Sequence, residues 1–122
     1  MPIDVEQLTA PAQLESLLGE SAHRPVLIFK HSRSCGTSAH AFDELRDHLE
    51  QGDSAARYGV VVVQTHRALS NDVATRLGVR HETPQALLVV DGRVVWQASH
   101  YRVTADAIAK AIESHGAVPS QH

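Results

Sequence analysis

Hydrophobic positions along the chain change period several times, and each change marks an element. Leu8, Leu14, Leu17 and Leu18 recur at near-helical spacing, with Thr9 as an expected cap and Pro11 acceptable in a first turn. A helix between Thr9 and Gly19 follows. Residues 19–24 read as a loop, and Pro25 opens an apolar strand, Val26-Leu27-Ile28-Phe29 with Lys30, at a position where a missing N–H does least harm. The strand breaks into His31-Ser32-Arg33-Ser34-Cys35-Gly36-Thr37-Ser38, after which Ala39, Phe42, Leu45 and Leu49 give the apolar side of an amphipathic helix ending near Gly52. Ser34 is the expected N-cap.

Val60-Val61-Val62-Val63 is β-branched on both faces, which suits a strand buried on both sides. Residues 70–77 read as a short helix closed by Gly78. Residues 85–90 and 93–98 are strand-like runs separated by Asp91-Gly92, a strong hairpin signal, so they are antiparallel neighbours. Thr104 begins a last helix with Ile108 and Ile112 on its buried side, Asp106 in its first turn and Gly116 beyond its end. Residues 117–122 are expected to fray.

The first two strands are joined by a crossover helix and should be parallel. The element order is that of the thioredoxin fold. The expectation is therefore an α/β fold of this type: a four-stranded mixed sheet, spatial order 2-1-3-4, in which a βαβ unit is followed by a β-hairpin and a C-terminal helix. A length of 122 residues fits one such domain over residues 1–122, with its core at about 8–116.

Composition narrows the classes of function. Apolar residues make up 43% and charged residues 20%, normal for a folded globular chain. A net charge of −3 without a Lys/Arg cluster argues against nucleic-acid or anionic-membrane partners. The acidic start, Met1-Pro2-Ile3-Asp4-Val5-Glu6, does not read as a secretory signal, and no run approaches the ~20 apolar residues of a membrane span. A cytoplasmic address and a monomer are expected.

The single cysteine, Cys35, cannot form an internal disulfide. It lies where a strand gives way to a helix, whose unpaired N–H groups and partial positive charge favour a thiolate. The spacing Cys35-Gly36-Thr37-Ser38 is that of a Cys-x-x-Cys motif with Ser38 at the second position, so any redox cycle is monothiol. Thiolate-stabilising candidates are Ser38, by hydroxyl and backbone N–H, Thr37 by backbone N–H, and Lys30 and His31 by charge. Arg33 adds positive charge to the same loop.

Among nine histidines, His31, His81 and His100 fall in segments near one end of the sheet, while His40, His48, His66 and His115 read as solvated surface residues. His40 and Glu44 share a helical face, but no metal-ligand pattern is present and no metal is expected. Trp96 lies on an alternating strand and reads as core.

Read together, Phe29-Lys30-His31-Ser32, Ser38, His81-Glu82-Thr83-Pro84-Gln85 and Val95-Trp96-Gln97-Ala98-Ser99-His100-Tyr101 resemble the monothiol bacilliredoxins, the YtxJ-like branch of the thioredoxin superfamily. The resemblance covers roughly residues 25–112. It implies a cis Thr83-Pro84 bond, a minority state among X-Pro bonds, with the Thr83 backbone open to pair with an extended ligand chain. It also implies removal of bacillithiol, or a similar small thiol, from S-thiolated client proteins. Cys35 would be the sole nucleophile, bacillithiol the co-substrate, and no bound cofactor would be needed. Arg33, Gly36, His81, Thr83, Pro84 and His100 would bind the thiol and its client. Family members commonly have Pro and a bulky aliphatic after the cysteine, where this chain has Gly36 and Thr37. Two other readings stand beside it: a non-catalytic binding module using the Cys35–Thr83 groove, and an iron-sulfur carrier like the monothiol glutaredoxins, which Cys35-Gly36-Thr37-Ser38 matches locally.

Overall fold

A computed structural model describes residues 5–51 and 55–117 of the chain. The expected helix end at Gly52 and the tail from residue 118 lie outside them. The elements run β1 (Val5–Gln7), α1 (Pro11–Glu20), β2 (Val26–His31), α2 (Gly36–Glu50), β3 (Arg57–Val62), α3 (Arg67–Leu77), β4 (Gln85–Val90), β5 (Arg93–Ser99), a single 3-10 turn (His100–Arg102) and α4 (Ala105–His115).

The sheet has five strands in the order β1-β3-β2-β4-β5, not four. The four expected strands keep their expected order, and β1 adds an edge strand parallel to β3. β2 pairs parallel with β3 and antiparallel with β4, and Asp91 and Gly92, both at positive φ, turn β4 into β5.

Strand alternation divides the core into two layers. Leu27 and Phe29 of β2 join Leu45 and Leu49 of α2 and Ile108 of α4 on one face. Val26 and Ile28 join Leu14 and Leu17 of α1 and Val73 of α3 on the other. Both faces of β2 are thereby covered, as its near-continuous apolar run requires. Gly59 of β3 lies beneath Leu17 of α1 and Leu8 of the chain before it. A β-carbon there would lie 2.7 Å from Leu17 Cδ2 and 3.0 Å from Leu8 Cδ1, so a side chain would push both leucines out.

Several local expectations change. Ala10, not Thr9, is the N-cap of α1, and the Gln13 carboxamide oxygen accepts from the N–H groups of Thr9 and Ala10. Cys35, not Ser34, is the N-cap of α2. The buried side of α2 is Ser38, Ala41, Leu45, His48 and Leu49, with Phe42 partly buried and Ala39 exposed. His48 is therefore not a surface residue: its Nε2 lies 2.7 Å from the hydroxyl of buried Tyr58, and burial pushes its pKa down. α3 begins at Arg67, three residues before the expected start, and ends at Gly78 in the left-handed region as its sequence requires. Trp96 is partly buried against the α2/α4 layer.

Candidate active site

The site forms where the C-terminal end of β2 meets the loop before β4. Lys30 is directly opposite Gln85 in the antiparallel pair, so His31 and Ser32 run on beside Pro84 and Thr83. The Thr83–Pro84 peptide is cis. The His100 N–H donates to Pro84 O at 3.1 Å, and Thr37 Oγ1 donates to the Tyr101 hydroxyl at 3.4 Å. These two bonds tie the 3-10 turn to the Pro84 loop on one side and to the start of α2 on the other. Three separate stretches of chain are thereby joined at this end of the sheet.

Cys35 has extended backbone, φ −113° and ψ 123°, and its thiol is free and partly accessible. Its pKa is held below the usual thiol value chiefly by the Ser38 backbone N–H. Desolvation opposes this, and the Thr37 N–H and hydroxyl add to the lowering. The helix start thus supplies N–H groups that would otherwise lack acceptors to a developing thiolate.

The Ser38 hydroxyl has other partners. Ser38 is fully buried; its Oγ accepts from the Ser32 N–H at 2.8 Å and lies 2.9 Å from His31 Nδ1. His31 stacks on Phe42 and Phe29, with centroids 4.9 and 5.9 Å away. Burial, with help from Arg33, pushes its pKa below the ordinary histidine value, so at neutral pH its ring is neutral and braces the loop without supplying charge. Lys30 is buried completely, and its Nζ lies 3.0 Å from His81 Nδ1. The lysine charge therefore meets the loop carrying Thr83, a placement that an apolar run ending in lysine does not reveal.

Among the substrate-side candidates, Thr83, Pro84 and His81 share one loop, with His81 Nε2 3.4 Å from Thr83 Oγ1. His100 adopts a positive φ of 56°, a strained state for a non-glycine residue, and its Nδ1 lies 3.8 Å from Glu82 Oε1. Glu82, Ser99, His100, Tyr101 and Arg102 line a shallow pocket of about 470 Å³. Arg33 and Gly36 are exposed at the loop and helix start.

Gln64 was not among the candidates. Its carboxamide oxygen accepts from the Arg33 N–H at 3.1 Å, and its Nε2 donates to Ser32 Oγ at 2.7 Å and Ser34 Oγ at 3.0 Å. It clamps the loop from the end of β3. A polar residue directly after an apolar strand parallel to β2 was its only signal. Tyr101, 70% exposed, is the hydroxyl partner of Thr37.

The sequence profile of monothiol bacilliredoxin BrxC matches residues 6–108. This chain belongs to the monothiol bacilliredoxin family. A solved thioredoxin-fold protein assigned as an oxidoreductase is 32% identical, with 88% of this bacilliredoxin and 92% of that chain covered at a TM-score of 0.78. A variant thioredoxin from Halobacterium salinarum is 22% identical over 96% of this chain and 95% of its own, TM-score 0.73. Thioredoxin from Malassezia sympodialis is 16% identical over 94% of each chain, TM-score 0.71. The last two establish the thioredoxin fold. Family and fold together make this bacilliredoxin a thiol oxidoreductase, and no helix among its described residues is long and apolar enough to cross a membrane.

Proposed function

We propose that this bacilliredoxin removes bacillithiol, or a closely similar small thiol, from mixed disulfides on cytoplasmic client proteins, with Cys35 as the only nucleophile. The observation that carries this reading is an accessible, lone Cys35 with a depressed pKa, in the loop that follows β2 where β2 pairs with the strand after cis Pro84. The Cys35 thiolate attacks the sulfur of the small thiol in the client's mixed disulfide. The old S–S bond breaks as a new one forms between Cys35 and the small thiol, and the client leaves as a thiolate that takes up a proton. Attack by a second small thiol then frees Cys35 and produces the symmetrical small-molecule disulfide. No electrons leave the set of sulfurs at either step.

In this reading the Thr83 backbone pairs with an extended client segment. Arg33, Gly36, His81 and His100 in this reading contact the small thiol and its client. The experiment is a turnover assay on an S-bacillithiolated protein with excess bacillithiol, wild type against Cys35→Ala. Release of the client thiol by wild type alone is expected. Equal release by both proteins would remove the reading.

A further inference from the structure

The fully buried Lys30 is the one charged side chain among the described residues with no exposure to solvent. Its cross-strand neighbour, Gln85, engages its carboxamide N–H groups with Arg80 O at 3.0 Å and Gln97 Oε1 at 3.3 Å. The Lys30 ammonium can only donate, so its contact with His81 fixes the histidine tautomer: Nδ1 accepts, and Nε2 carries the hydrogen. That hydrogen points the bond from Nε2 to Thr83 Oγ1 at 3.4 Å, which leaves the Thr83 hydroxyl proton available to a third group. Both links run in one direction, from the buried lysine to the Thr83 hydroxyl.

We propose that Lys30, His81 and Thr83 form a proton relay that protonates the departing client thiolate, with Thr83 as the catalytic donor and Lys30 and His81 as positioning residues behind it. As the S–S bond between small thiol and client breaks, the Thr83 O–H gives its proton to the client sulfur. Thr83 takes the Nε2 proton of His81, and His81 takes a proton from Lys30 at Nδ1. Lys30 is left as a neutral amine and is recharged from water through the exposed His81 ring. The disulfide exchange itself needs no added oxidant or reductant.

The charges around the relay support its direction. Burial lowers the Lys30 pKa to about 8, so the side chain is still an ammonium at neutral pH but a much better acid than an exposed lysine. Burial first, then Lys30 and Arg67, pushes the His81 pKa down against the opposing pull of Glu82, so His81 stays neutral and able to accept. An acid of this kind matters most when the departing thiol is a strong base.

The inference rests on the exchange reading but not on which small thiol is used. Its test compares two mixed disulfides of 2-mercaptoethanol, one with a cysteine peptide and one with 5-thio-2-nitrobenzoate. The first expels a basic alkyl thiolate and the second a weakly basic aryl thiolate. In Thr83→Val, His81→Gln and Lys30→Met, the peptide rate should fall on the order of 10²-fold, and at least about tenfold more than the aryl rate. Equal losses on both disulfides would overturn the relay and leave the exchange chemistry standing. A wild-type protein inert toward both would overturn the exchange reading, and the relay with it.

Discussion

His31 Nδ1 lies 2.9 Å from the hydroxyl of Ser38, which places the serine side chain in the brace of the loop while its backbone N–H faces Cys35. The two halves of Ser38 therefore have separable roles. Ser38→Ala leaves the Ser32 N–H and the His31 ring without their shared partner and should cost about 1–2 kcal/mol of stability, read by thermal unfolding. Its Cys35 should still titrate below an ordinary thiol, because the N–H remains. Thr37→Val is expected to do the reverse, moving the pH midpoint of Cys35 alkylation upward with little change in melting temperature.

Gln64 holds Ser32, Arg33 and Ser34 by side-chain bonds across the end of the sheet. Gln64→Ala should remove hydrogen-exchange protection at the Arg33 amide and spare the Ser32 amide, which Ser38 binds. Because the nucleophile is then less well positioned, disulfide exchange should slow on the order of 10-fold.

Gly36 is the departure from the usual family pattern that the structure explains best. It is the first residue of α2, a β-carbon there meets nothing within 4 Å, and Cys35 before it is extended, as the residue preceding proline must be. The N–H groups that hold the thiolate belong to Thr37 and Ser38, so losing that of Gly36 removes none of them. Gly36→Pro should raise stability by about 0.4–1 kcal/mol and leave the alkylation profile of Cys35 in place.

Lys30 carries a stability cost that depends on pH. Its folded pKa, about 8, is below its unfolded value, so between the two the unfolded chain binds more protons and stability rises with pH. The penalty is present in full below about 8 and disappears as the pH climbs past the unfolded value of about 10.4. At pH 7, Lys30→Met should therefore unfold about 1–3 kcal/mol later than wild type in denaturant, and the gap should narrow toward pH 10.

Sequence patterns carried the two-layered architecture well because β2, β3 and β4 are long apolar runs and Asp91-Gly92 and Gly78 have strict backbone demands. β1 was missed since three residues, one of them Glu6, show no alternation to read; the parallel pairing with β3 is a tertiary effect. The early start of α3 was hidden by His66 and Arg67, which do not cap. The place of Cys35 between a strand and a helix was legible from the change of period there. The partners of Lys30, His31, His48 and Gln64 were not, because each is set by which strand lies next to which, and composition is silent on that.

The most direct measurement is a single-turnover intact-mass experiment, in which an S-bacillithiolated client is mixed with an equal amount of the reduced protein and no added thiol. The account expects the mass of bacillithiol, less two hydrogens, to move onto Cys35 as the client becomes a free thiol. A client that keeps its adduct, or a disulfide joining Cys35 to the client itself, would contradict it.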